Sequence, residues 1–176
     1  LENEENNHNI ITINDNDICD LNIDNNYIIQ NVPESARKYG YNYYVGGKFL
    51  TFSTLDSTTS WSSMWSSTSI TNNWDWMQLD LGEIKLVDSI VTKGRNDADW
   101  WVTAYSVSVS SDNITFTNID PSSVNTTTIS NINYFTGNND RNTLKRSYFS
   151  SPQQARYIKI TPSATSTHLG IRCDVY

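Results

Sequence analysis

The strictest constraint in this chain is a period of two. Tyr105-Ser106-Val107-Ser108-Val109-Ser110 alternates without a fault, and Ser111-Asp112-Asn113 stops it with turn chemistry. A strand places successive side chains on opposite faces, so such a segment buries one face and wets the other. Ile114 and Phe116 are expected to resume the pattern. In Met77-Gln78-Leu79-Asp80-Leu81, three apolar residues face one way and two polar ones the other, and Gly82 is expected to end the strand. Leu86 to Thr92 is mostly apolar and fits a more buried strand. Ile158 and Ile160 alternate with Lys159 and Thr161 up to Pro162, which is expected to stop that strand. Ile171, Cys173 and Val175 alternate with Arg172, Asp174 and Tyr176. No stretch of helical length carries a 3.6-residue period, and only Pro33 to Arg37 has the composition of a helical turn. The expectation is an all-β fold, an antiparallel β-sandwich or jelly roll of many short strands.

Length bounds the rest. A chain of 176 residues suits one domain and can bury a core without staples. Residues 1–17 are rich in Asn, Asp and Glu and almost without aromatic side chains, so they read as an acidic, flexible arm. The domain is expected over 18–176. The formal net charge is −7. An acidic chain is repelled by phosphate backbones, which argues against nucleic acid as a partner. No apolar run approaches the roughly 18 residues of a membrane span, so no transmembrane segment is expected. The chain opens on Leu1 with no signal-peptide pattern after it, and we expect a processed or excised form, such as one whose signal peptide has been removed.

Two cysteines, Cys19 and Cys173, stand near the two ends of the domain. In an Asn/Ser/Thr-rich chain they point to one disulfide, against the alternative of two free buried thiols. Two sequons, Asn113-Ile-Thr and Asn125-Thr-Thr, are glycosylation acceptors if the chain is secreted. Catalysis is not expected. There are two histidines, no nucleophile elbow, no phosphate-binding loop and no metal-ligand spacing.

Several motifs in one order resemble the discoidin family, known also from the C-type domains of coagulation factors. Leu55-Asp56 precedes Trp61-Ser62-Ser63. Trp76-Met77-Gln78-Leu79-Asp80-Leu81-Gly82 resembles the family's most recognisable strand. Lys93 to Asp99, then Trp101 to Tyr105, is similar to the slime-mould discoidin lectins, as is Asp140-Arg141-Asn142-Thr143. Ala155 to Ile160 and Leu169 to Asp174 resemble the last two strands, and the likeness ends on the second cysteine.

The resemblance implies a galactose-binding-like jelly roll of about eight strands, with its ends together. That arrangement would bring Cys19 and Cys173 into pairing range. It also implies that Arg156 and Arg172 are structural, paired with carboxylates such as Asp80 or Asp174. Ligands would be bound by loops at the end away from the termini, as a lectin-like module for galactose-type glycans in adhesion or surface recognition. Three segments would gather there: Tyr39 to Gly47, Arg95 to Trp100, and Ser163 to Gly170.

Sugar chemistry suits those segments. A hexose shows an apolar C–H face to an aromatic ring and hydroxyls to Asp, Asn, His or Arg. Tyr41, Tyr43, Tyr44 and Trp100 are the stacking candidates. Asn42, Arg95, Asp97, Asp99 and His168 are the polar ones. Counting back in twos from Tyr105 turns Trp101 inward and leaves Trp100 outward. The blander readings stay open: Arg95 and Asp97 pair only with each other, His168 is a plain loop residue, and Tyr43 or Tyr44 begins a strand.

The resemblance further implies a candidate structural Ca²⁺ near Asp56 and Thr58, with Asp174 where the family has Glu, though no cofactor is required. Tyr39 to Leu50 does not resemble the phospholipid-binding loop of the coagulation relatives. The partner is then expected to be a glycan or glycoprotein, with the protein outside the cell or on its surface. The competing expectation is a structural or adhesion module docking a protein, or a second copy, within an extracellular or ciliary assembly.

Overall fold

The computed structural model describes residues 28–40, 52–63 and 75–176, and the backbone of 44–45 and 48–49. Its strands are β1 (Arg37–Tyr39), β2 (Tyr44–Val45), β3 (Lys48–Phe49), β4 (Trp61–Ser63), β5 (Met77–Lys93), β6 (Val102–Ser110), β7 (Thr117–Ile119), β8 (Thr126–Ile129), β9 (Ile132–Thr136), β10 (Lys145–Thr165) and β11 (Leu169–Val175). Nine of them form one antiparallel sheet, ordered β4-β11-β5-β10-β6-β9-β8, with β1 on β5 and β7 on β6; β2 and β3 pair separately. Two short 3₁₀ turns, Glu34–Ala36 and Ser123–Asn125, are the helical content of the described residues. This is the all-β, antiparallel fold expected from the alternation.

Two strands are much longer than the sequence implied. β5 runs through Gly82 instead of ending there, and Gly82 supplies the positive φ, +79°, that the bend requires. β10 runs alongside and slips register between Tyr148 and Gln153 and again between Ala155 and Tyr157. Such irregularities sharpen twist and let a sheet turn a corner. Side chains of the two long strands enter one core with those of β6 and β11. Pro162 does not stop β10 either. It pairs with Tyr105, and the register shifts immediately after it, where a residue without an N–H is tolerated.

The core collects the inward set of each strand. Met77, Leu79, Val87 and Ile90 of β5 meet Tyr105 and Val107 of β6, Ile158 and Ile160 of β10, and Ile171, Cys173 and Val175 of β11. Burying each such aliphatic side chain stabilises by about 1.5–3 kcal/mol. Tyr105 stacks on Phe135 at 5.5 Å, and Trp61, fully buried, stacks on Tyr39 at 5.7 Å. Trp61 is thus a packing residue.

Ile114 breaks the pattern. It is 84% exposed, because the turn after β6 is tightened by Asp112, whose carboxylate accepts the amides of Ile114 and Thr115, each at 2.8 Å. The chain re-enters the sheet only at β7.

The first described residues meet the last strand. The amide of Gln30 donates to the carbonyl of Val175, and that of Val32 to Asp174. Arg37, read from sequence only as part of a helical turn, is buried beside them. It donates to the carbonyls of Val32, Ser53 and Cys173 and to Oδ2 of Asp174 at 3.1 Å. Arg156 holds Asp80 at 2.7 Å, as expected, but Arg172 does not hold Asp174. Arg37 takes that carboxylate. The acidic arm 1–17 and Cys19 lie outside the described residues, and with them the disulfide. Cys173 is fully buried, its Sγ 3.6 Å from Sδ of Met77.

Candidate functional site

One buried arginine ties several loops together. Arg172 on β11 sends Nε to the carbonyl of Gly94 at 2.7 Å and Nη1 to those of Leu55 and Ser57. Its Nη2 reaches the carbonyl of Arg141 and Oδ1 of Asn142. A guanidinium has five donors in a rigid fork, which fits it to bind several loop carbonyls at once. Glycine makes the approach possible. A Cβ on Gly94 would stand 2.6 Å from the carbonyl oxygen of Asp140, and one on Gly170 would stand 2.8 Å from Cβ of Arg95.

On this platform the loop after β5 presents a stack. Arg95 pairs with Asp97 at 3.0 Å and lays its guanidinium over the ring of Trp100, 4.4 Å from the centroid. His168 stacks on Trp100 at 4.5 Å. The structure therefore brings Arg95, Asp97, Trp100 and His168 together, and it also holds Arg95 and Asp97 in the mutual pair of the blander reading. Tyr41, Asn42 and Tyr43 lie outside the described residues. Tyr44 begins β2, and only its backbone is described.

Beside the stack lies an open cavity of about 340 Å³, lined by Asp99, Trp101, Asp140, Arg141, Asn142 and Thr143. Trp101 was read as a core residue, but it is only half-buried and forms part of this lining. Asp99 reaches across to Arg141, with Oδ1 at 2.7 Å from Nε. Asp140 accepts the amides of Asn142 and Thr143, at 2.9 and 2.7 Å, which fixes the shape of that loop.

These bonds hold the carboxyls charged. The Arg95 hydrogen bond lowers the pKa of Asp97, the Arg141 hydrogen bond that of Asp99, and the Thr143 hydrogen bonds that of Asp140. Asp99 in turn raises that of Arg141. The site offers anionic acceptors, one exposed cationic donor and aromatic surface. Among the residues described around it there is no paired nucleophile and base.

The F5/8 type C domain model matches residues 38–175. The chain belongs to this family. As a discoidin-type domain it is a binding module. Its curated relatives include lactadherin of Bos taurus, 35% identical over 57% of this chain and 23% of that protein. Retinoschisin of Takifugu rubripes is 32% identical over 59% of this chain and 35% of that protein. A discoidin-1 polypeptide of Dictyostelium discoideum is 33% identical over 49% of this chain and 30% of that protein. The aligned part is thus about a quarter to a third of each relative's length. Among solved structures, discoidin II of Dictyostelium discoideum superposes with a TM-score of 0.52 at 26% identity, over 77% of this chain and 46% of that one. A family 32 carbohydrate-binding module of C. perfringens, solved with galactose, superposes at 0.52 with 20% identity, over 84% of this chain and 98% of that one; it shares the fold.

The calcium expected of such a domain does not fit the donors found here. Asp174 is buried, and its carboxylate already accepts Val32 N, Val175 N and the positive guanidinium of Arg37. Asp56 and Thr58 are exposed. No group of three or more acidic, His or Cys side chains gathers among the described residues, whereas calcium takes six to eight oxygens. Of the two sequons, Asn113 is exposed on its turn. Asn125 is partly buried, and its Oδ1 accepts Ser122 Oγ and Tyr148 N.

The sequence reading missed Trp101, Asp140, Arg141 and Asn142 as site residues. The run Asp140 to Thr143 was visible as a likeness, but nothing in it says that Arg141 faces Asp99 from 42 residues away.

Proposed function

We propose that this discoidin-type domain is a non-catalytic lectin-like module that binds a neutral glycan in the cavity between Asp99 and Arg141. One observation carries the reading: an exposed carboxylate and an exposed guanidinium, 2.7 Å apart, meet over an open cavity with Trp101 in its lining. Vicinal hydroxyls both donate and accept, so a carboxylate–guanidinium edge suits a diol with charge-assisted hydrogen bonds. The ring face suits the C–H side of the sugar. Asp97, Asp99 and Asp140 together disfavour sialic or uronic acids, whose carboxylates they would repel. Galactose or an N-acetylated relative is the choice supported by the resemblance to discoidin lectins. A shallow, open site of this kind binds single sugars weakly and selects by geometry. We place the protein outside the cell or on its surface, where its sequons and two cysteines have a use. No helix among the described residues is long and apolar enough to cross a membrane.

The test is a glycan array on the purified chain, with and without EDTA, beside Asp99→Asn, Arg141→Ala and Trp100→Ala. Binding of neutral galactose-type glycans, lost in Asp99→Asn and Arg141→Ala and indifferent to EDTA, is the expected result. A folded protein that binds no glycan at millimolar sugar sinks the reading, and the loop end becomes a protein-docking surface.

A further inference from the structure

The pair used by the glycan reading consists of two exposed side chains, and an exposed ion pair has little strength of its own with which to fix two loops. Asp99 and Arg141 meet at 2.7 Å because their backbones are set from elsewhere. Both settings come from one short stretch of chain. Nη2 of Arg172, in β11, donates to the carbonyl of Arg141 at 2.8 Å. Oγ1 of Thr167, in the connection between β10 and β11, donates to the carbonyl of Asp99 at 3.2 Å.

The rest of that connection grips the same loop. The hydroxyl of Ser166 accepts the amide of Trp101 at 3.2 Å, and the amide of Ser166 donates to the carbonyl of Trp101 at 2.9 Å. His168 stacks on Trp100 at 4.5 Å. Within the loop, the amide of Trp100 donates to the carbonyl of Ala98 at 2.8 Å. The peptide that joins Asp99 to Trp100 is therefore held on both sides, its N–H by Ala98 and its C=O by Thr167. A peptide unit is a rigid plane, so fixing it at both groups fixes the direction in which the chain leaves Asp99, and with it the aim of the carboxylate. Ser166 Oγ stands farther from the same carbonyl, at 3.5 Å, which leaves Thr167 the closer donor.

We propose that Thr167 is a positioning residue of the glycan site: acting through the Asp99 carbonyl, its hydroxyl aims the Asp99 carboxylate at Arg141, so that a ligand diol meets both groups at once. The glycan reading supplies what the pair binds; the hydrogen bonds alone supply how the pair is held. Thr167 is not part of the cavity lining, so its role is exercised through Asp99. Placing two groups in advance is what lets a shallow site bind without the cost of ordering them.

The experiment compares the whole chain with Thr167→Val and Thr167→Ser. Valine nearly keeps the shape of threonine and loses the donor; serine keeps the donor. The readouts are the urea midpoint, the NMR titration of the Asp99 carboxyl, and galactose affinity from amide shifts. In the wild type the hydrogen bond from Arg141 lowers the Asp99 pKa. In Thr167→Val that pKa is expected to rise toward the ordinary carboxyl range, and galactose affinity to fall about tenfold, the worth of one hydrogen bond. The urea midpoint should not move, because Thr167 is exposed. Thr167→Ser should restore both the titration and the affinity. An Asp99 titration in Thr167→Val that matches the wild type overturns the proposal. So does a loss that serine fails to restore, or one that arrives with a lower urea midpoint, which would make Thr167 a plain structural residue. The titration needs no sugar, so a wild type that takes no galactose sinks the glycan reading while the titration still upholds or overturns the positioning.

Discussion

Arg172 Nε stands 2.7 Å from the carbonyl oxygen of Gly94, and through its other nitrogens the same side chain holds Leu55, Ser57, Arg141 and Asn142. Burial lowers the pKa of this guanidinium, which makes its satisfaction by so many acceptors the condition for placing it there. Arg172→Met fills similar volume and strands those carbonyls. We expect a loss of about 3 kcal/mol or more in urea denaturation, with glycan affinity falling alongside. Arg172→Lys, a point donor in place of a fork, restores only part of either.

The Asp99–Arg141 pair behaves differently. Both side chains are exposed, and exposed ion pairs contribute little to stability. Arg141→Ala is therefore expected to leave the urea midpoint unchanged while abolishing glycan binding. A shift in the midpoint as large as that of Arg172→Met would show that the residue holds the loop and is no ligand contact.

Arg37 and Asp174 are both buried and joined at 3.1 Å. Removing one partner of such a pair leaves an uncompensated charge. Arg37→Met is expected to cost about 3–5 kcal/mol. Asp174→Asn should cost less, because the amide oxygen still accepts from Val32 or Val175. Chemical denaturation of the two variants at neutral pH checks the order.

Part of the acid sensitivity should arise at the turn after β6. Backbone amides of Thr115 and Ile114 pull the Asp112 carboxyl down to about 2. A depressed carboxyl contributes stability that is complete above its unfolded value, about 3.9, and is lost as pH falls through about 2. Asp112→Asn keeps an acceptor for the turn but cannot titrate, so its urea midpoint should fall less between pH 5 and pH 2 than that of the wild type. Asp174 acts with the opposite sign. Burial raises its carboxyl, so its contribution is present at low pH and is lost as pH rises through the raised value.

Cys173 should be inert in the native state. Burial pushes its thiol up to about 12, and the sulfur has no exposed surface. Native alkylation at pH 8 is expected to leave it unlabelled. The bridge to Cys19 that we propose from the sequence predicts more: labelling in urea should then require reductant. Labelling of both cysteines in urea alone would remove the bridge.

The sequence by itself determined the class of fold and most of its inner face. The alternation of Tyr105, Val107 and Val109, and of Ile171, Cys173 and Val175, decides burial because a strand can offer only one of two faces. It also carried the family, since the landmark strands lie in order along the chain. Tertiary structure decided everything that depends on distance across the chain. Gly82 and Pro162 looked like stops, yet β5 and β10 run through them, because a register shift needs the partner strand to define it. Arg172 and Arg37 each follow or precede ordinary strand residues, and nothing local distinguishes the one that ties loops from the one that takes Asp174. Trp101 is inward by parity, but it precedes β6, which begins at Val102, and it lines a cavity with Asp99 and the distant segment Asp140 to Thr143. Parity is a local property of a strand; what lies opposite a side chain is set by the packing of segments far apart in sequence.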